Sequence, residues 1–224
     1  MNEDPPLENH EPPAPEPAAD PAPPRPPRQL TSSRVFRVAV ICEAALVILA
    51  IALGWLLGPD PLRTHATAAG LPAALGWGLA ATLPMLAGLF ILERVRFGEF
   101  AKLHDTIDDY LLPLFRPMRL WQLGLISLLA GLGEELLFRG WLQAGIAGWI
   151  GGPAGPWIGL VLASLVFGVC YAVTRLYALL ATLAGIYLGL VFLLTDHLLP
   201  AILAHALYDF AALVYMTRFA ERKV

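Results

Sequence analysis

Two short constellations place ionisable side chains inside otherwise apolar sequence. The first reads Gly131-Leu132-Gly133-Glu134-Glu135-Leu136-Leu137-Phe138-Arg139-Gly140, the second Leu203-Ala204-His205-Ala206-Leu207-Tyr208-Asp209-Phe210. In the first, Glu135 and Arg139 are four residues apart with the acid N-terminal, the favourable orientation for an ion pair on one helical face. Such a pair neutralises itself and reads equally well as a buried packing clasp. Glu134 is left over, about 100° around the helix from Glu135. An unpaired carboxylate held out of water is what a general base requires, and two adjacent glutamates are a costly choice for packing alone. In the second constellation, His205 and Asp209 share a helical face at the same spacing and are within reach of a hydrogen bond.

The surrounding composition is that of a membrane protein. The chain has 224 residues, 57% hydrophobic and only 15% charged, with a mean hydropathy of +0.63; soluble domains carry about a quarter charged residues. A net charge of -3 gives no basis for a nucleic-acid partner. Eleven of the 20 prolines fall in the first 30 residues, among alanines and glutamates, so residues 1–33 read as a disordered cytoplasmic tail that lacks the apolar surface to offset its ordering entropy.

A helix needs ~20 apolar residues to cross a bilayer, within a range of ~17 to 25. Six stretches qualify: 36–58, 71–92, 120–150, 156–173, 176–194 and 198–217. Between the second and third, residues 93–119 are rich in charge. There Phe97, Phe100, Leu103, Ile107, Tyr110, Leu111 and Leu114 recur at helical spacing, which predicts an amphipathic helix on the membrane surface. The fold class expected is therefore all-α: a polytopic bundle of about six transmembrane helices with one interfacial helix. Its expected divisions are the tail (1–33), two N-terminal spans with the amphipathic helix (34–118), a core (119–217) and a short cytoplasmic tail (218–224).

With the N-terminus inside, 13 of the 15 Lys and Arg fall in cytoplasmic segments, leaving Arg63 outside and Arg139 within a span. This bias predicts cytoplasmic termini in a plasma membrane of bacterial type. Ionisable groups at membrane depth cost ~2.5–3.5 kcal/mol each on insertion scales and so mark functional positions. Glu43, about two turns past Arg37, reads as an acid near enough to the interface for partial hydration, its role structural or functional. Glu134 lies fifteen residues from Arg119, ~22 Å at 1.5 Å per residue, and His205 thirteen from Arg218, ~20 Å. The two therefore share a depth on helices that start from the same face. Polar residues gathered at one depth argue against a transporter path, which would distribute them between helices.

These motifs resemble a known family. Glu134-Glu135-x-x-x-Arg139, with Phe138-Arg139-Gly140, is similar to the first motif of the CAAX protease and bacteriocin-processing family of intramembrane proteases, which includes the type II CAAX prenyl endopeptidases. His205-x-x-x-Asp209 resembles its last motif. Between them the family carries Phe-x-x-x-His; this chain has Phe167-Gly168-Val169-Cys170-Tyr171, with tyrosine in place of histidine. The resemblance covers residues 119–217.

It implies an intramembrane endopeptidase acting on a membrane-associated peptide or protein, with Glu134 activating water, Glu135 and Arg139 as a supporting pair, His205 binding the water or oxyanion, Asp209 orienting His205, and Tyr171 in the missing histidine's place. The tyrosine keeps open an alternative: a catalytically lapsed relative that binds membrane proteins as a regulatory or immunity factor. A divalent metal such as zinc would have Glu134 and His205 as its candidate ligands, whereas three-ligand zinc sites usually include two or three His. The nearest spare, His197, is ~12 Å from His205 along a helix. Four residues before Arg175, Tyr171 should sit ~6 Å from the cytoplasmic boundary, so it reaches the acids only if the loop before Arg175 is itself submerged.

Overall fold

The protein is described by a computed structural model over residues 31–62 and 70–220. Most of the expected tail (residues 1–30), Arg63 of the charge count and the end of the C-terminal tail (221–224) lie outside the described residues.

Nine α-helices carry the described chain: α1 (Ser32–Leu57), α2 (Leu71–Arg94), α3 (Glu99–Thr106), α4 (Leu112–Phe115), α5 (Leu120–Glu135), α6 (Ala144–Ile150), α7 (Gly155–Cys170), α8 (Arg175–Thr195) and α9 (Leu198–Val214). Wider π-helical segments join α3 to α4 (Ile107–Leu111), join α5 to α6 (Leu136–Gln143) and extend α9 (Tyr215–Phe219). No strand occurs among the described residues. Five continuous helical stretches are long and apolar enough to cross a membrane: 32–57, 71–94, 120–150, 175–195 and 198–219. The protein is thus an all-α polytopic membrane bundle. The remaining expected span, 156–173, is α7, which stops after 16 residues, ~24 Å of helix.

The amphipathic segment is more broken than its spacing predicts. Gly98 takes a positive φ of 58° before α3, which leaves Phe97 exposed ahead of the helix. The π turn after Thr106 then adds a residue to the turn and shifts the phase. Leu103 and Leu112 are buried, while Tyr110 of the expected stripe is exposed.

Helix ends follow local chemistry. The Gln122 side chain accepts the Arg119 backbone N–H at 2.8 Å to open α5. Thr174 Oγ1 accepts from Tyr177 N at 3.0 Å at the start of α8. His197 Nδ1 accepts from Leu199 N at 3.0 Å at the start of α9. His197 is therefore engaged as an N-cap, the job that Ser, Thr, Asn or Asp usually performs.

Within the bundle α9 packs against α2, α5 and α8, α1 lies along α5, and α7 pairs with α8 while also touching α6 and the π segment before it. Lipid tails are as apolar as leucine, so association between helices depends on close packing and polar contacts. Small residues supply the close packing. At the α5–α9 crossing a Cβ at Gly131 would stand 2.8 Å from Ala206 Cβ and 2.9 Å from Ile202 O. Where α2, α8 and α9 meet, Ala81, Leu188, Ala201 and Ala204 form a buried cluster, beside which the Tyr187 hydroxyl donates to Ala81 O at 2.8 Å.

The α5–α9 crossing brings the two ionisable motifs together, which gives a direct test. Gly131→Ala should destabilise the purified protein by ~1–3 kcal/mol, the usual cost of overpacking, measured by reversible unfolding in lipid. Gly76→Ala, whose Cβ would meet nothing within 4 Å, should be neutral or slightly stabilising.

Candidate active site

The middle of the bundle holds a chain of polar contacts centred on Glu135, a fully buried residue at the end of α5. Its Oε1 accepts from Arg139 Nη1 at 2.8 Å and meets His205 Nδ1 at 2.7 Å. Arg139, also buried, donates Nη2–H to Gly185 O of α8 at 3.1 Å, and its guanidinium carbon stands 4.7 Å from the centroid of the Phe167 ring on α7. One turn on, Gln143 Nε2 donates to Gly189 O at 3.1 Å. These carbonyls are reachable because glycine leaves the α8 surface open: a Cβ at Gly189 would stand 2.6 Å from Gln143 Oε1.

The π-helical winding of Leu136–Gln143 sits directly under these contacts. An i→i+5 turn admits an extra residue, and here it carries Arg139 and Gln143, both aimed at α8. Such segments recur at functional sites.

Glu134 lies on the other side of the imidazole. Its Oε1 accepts a hydrogen bond from the Tyr171 hydroxyl, and its Oε2 is 3.8 Å from His205 Nε2. Asp209 Oδ2 is 3.5 Å from the same nitrogen. His205 is thus held firmly at Nδ1 by Glu135 and faces Glu134 and Asp209 more loosely at Nε2. Glu134, Glu135 and His205 are nearly closed to solvent, whereas the Asp209 side chain is 31% exposed, so the cluster opens at the Asp209 edge.

All six residues singled out from sequence, Glu134, Glu135, Arg139, Tyr171, His205 and Asp209, therefore fall in one cluster. The shared depth of Glu134 and His205 is reproduced. The depth question about Tyr171 is also answered: α7 ends at Cys170 and the turn 171–174 brings the phenol to Glu134. Phe167 stacks behind, 5.0 Å from the Tyr171 ring and 6.2 Å from the His205 ring between centroids. Tyr177 packs edge-on to Tyr171 at 6.0 Å. Gln143 and Tyr177 were not singled out from sequence. Gln143 continues the four-residue series Glu135, Arg139, Gln143, and that spacing was the available signal.

Among the described residues no group of three or more His, Cys, Asp and Glu is arranged to hold a metal ion, and His197 is committed to the α9 cap. The buried oxygens Glu134 Oε2 and Glu135 Oε2 have no hydrogen-bond partner in the protein; the first is 3.8 Å from His205 Nε2.

The Glu135–Arg139 pair is testable without knowledge of a substrate. Removing one member of a buried pair strands the other's charge and costs ~3–5 kcal/mol. Arg139→Met should show that loss in reversible unfolding, and Arg139→Lys should recover little, because an ammonium lacks the planar fork that serves Glu135 and Gly185 together. The double variant Glu135→Leu with Arg139→Met should be more stable than Arg139→Met alone.

Comparison with curated proteins and with solved structures gave no match. Residues 116–211 match the family model described as Rce1-like, type II CAAX prenyl endopeptidase Rce1-like, a segment that runs from the end of α4 into α9 and contains every residue of the cluster. The apolar helices mark an integral membrane protein, and over residues 116–211, less than half of the chain, it is similar to the Rce1-like type II CAAX prenyl endopeptidases.

Proposed function

We propose that the protein is an intramembrane endopeptidase that cleaves a membrane-associated peptide with a water activated by Glu134. The observation that carries this reading is the placement of Glu134. It is buried, tied at Oε1 to Tyr171, and turned with the unpartnered Oε2 towards His205 Nε2. A buried carboxylate with one oxygen anchored and the other free of a hydrogen bond and facing an imidazole nitrogen has the form of a general base.

The reaction follows from that geometry. A water between Glu134 Oε2 and His205 Nε2 gives its proton to Glu134 as its oxygen bonds to the scissile carbonyl carbon. The carbonyl electron pair moves onto oxygen, and that oxyanion is stabilised by His205, whose Nδ1–H donates to Glu135 and whose Nε2–H faces the site. When the tetrahedral species collapses, the C–N bond breaks and Glu134 returns the proton to the leaving amine nitrogen. Asp209, at the open edge and 3.5 Å from Nε2, holds the imidazolium in place. Glu135 and Arg139 act one step back, by fixing the imidazole and the helix that carries Glu134. No step requires a metal.

Tyr171 supports a second reading. Its hydroxyl occupies Glu134 Oε1, where a lapsed enzyme could keep a former base tied down while the chain binds membrane proteins for regulation or immunity. Under the first reading the same bond orients the base.

Turnover separates the two. The full chain in liposomes, given quenched-fluorescent peptides anchored by a prenyl group or an acyl chain, should cleave at least one class. Glu134→Gln should then lose ~10²–10⁴-fold in kcat/KM, the usual contribution of a positioned general base. Equal turnover by parent and Glu134→Gln would sink the mechanism. Cleavage by Tyr171→His with none by the parent would establish the second reading.

A further inference from the structure

Glu43 lies on α1, outside the segment that matches the family, and its sequence position suggests only an acid near the interface. The structure docks it beside the base. At Gly133, the residue before Glu134, α1 and α5 approach so closely that a Cβ would stand 2.8 Å from the Glu43 carbonyl oxygen and 3.1 Å from Leu46 Cβ. Glycine at 133 is what admits the α1 backbone there. The Glu43 side chain is half-buried, and its Oε2 is closed to solvent with no hydrogen-bond partner in the protein. Its carboxylate lies within electrostatic range of His205 and Asp209 and of Glu134.

Two carboxylate oxygens without a hydrogen-bond partner in the protein, Glu43 Oε2 and Glu134 Oε2, thus lie on the two helices that meet at Gly133. A buried acceptor left without a donor costs ~1–3 kcal/mol, more when charged. Proteins usually relieve this with a bound water that makes about three hydrogen bonds. A water has two hydrogens for two acceptors and lone pairs for an Nε2–H donor and for attack.

We propose that Glu43 is a positioning residue of the active site: its carboxylate accepts one hydrogen of a water whose other hydrogen goes to Glu134. Held by Glu134 and His205 Nε2 without Glu43, that water leaves its second hydrogen undirected; with Glu43 as acceptor, its free lone pair is aimed at the carbonyl carbon. The catalytic part of this role rests on the hydrolytic reading of Glu134, whereas the water's position does not. The site thus extends to α1, and the α1–α5 contact at Gly133 becomes a condition for activity.

Two measurements on the full chain in lipid test this. A crystal structure from a lipidic phase, at a resolution that shows ordered water, should place one within ~2.6–3.2 Å of both the Glu43 and Glu134 carboxylates, and Glu43→Leu should lose it. A Glu43 carboxylate turned to lipid, or bonded to a protein donor instead, would overturn the proposal. In turnover of the anchored peptides, Glu43→Leu should lower kcat by ~10- to 100-fold, the scale of losses from misorientation, with KM little changed. Glu43→Gln keeps an acceptor oxygen and should restore most of that loss. Unchanged kcat in Glu43→Leu, a change confined to KM, or a Glu43→Gln protein as slow as Glu43→Leu would each overturn it. A bridging water in a parent that cleaves nothing would uphold the placement of Glu43 and count against the hydrolytic reading alone.

Discussion

A buried carboxylate organises this molecule. Glu135 is closed to solvent and shares one oxygen between the Arg139 guanidinium and the His205 imidazole. Through Arg139 the contact passes to the Gly185 carbonyl of α8 and the Phe167 ring of α7; through His205 it passes to α9. Four helices thus meet on a few polar atoms. In a bilayer, where apolar contact between helices has little advantage over contact with lipid, such a network can select one arrangement of helices over others. Whatever its net stability, breaking it would strand a charge, and the imidazole it holds has little freedom at Nδ1.

The site is asymmetric because of that anchor. On the Nδ1 side the contacts are short and direct. On the Nε2 side Glu134 and Asp209 stand at 3.8 and 3.5 Å, beyond good hydrogen-bond length, so these contacts are looser. A rigid back and a looser, partly open front are what the proposed hydrolysis needs, since preorganised groups must aim at atoms that arrive with the substrate. Tyr171 contributes to the front by holding Glu134 at the oxygen turned away from His205.

Backbone geometry makes room for this arrangement at several points. The π segment Leu136–Gln143 carries Arg139 and Gln143 against α8. Glycines at 131, 133 and 189 remove the Cβ atoms that would collide with Ala206, Glu43 and Gln143 respectively. The end of α7 at Cys170 frees the following turn to bend the Tyr171 phenol into the cluster.

Much of this was legible in the sequence. Apolar run length and the placement of Lys and Arg depend only on transfer of side chains between water and lipid, so the helical membrane class follows from composition. Likewise, an acid and a base four residues apart pair within one helix whatever surrounds them, so Glu135–Arg139 was visible. Contacts between helices were not, because they depend on crossing angles and on which small residues let backbones approach. Only the tertiary structure decided that His205 takes Glu135 as its close partner while Asp209 stands farther off, that Tyr171 reaches Glu134 from a turn expected near the membrane boundary, and that His197 caps α9. It also decided the place of Glu43: along its own helix it is a lone acid two turns from an interface, and only the contact of α1 with α5 at Gly133 sets its backbone beside the residue before Glu134.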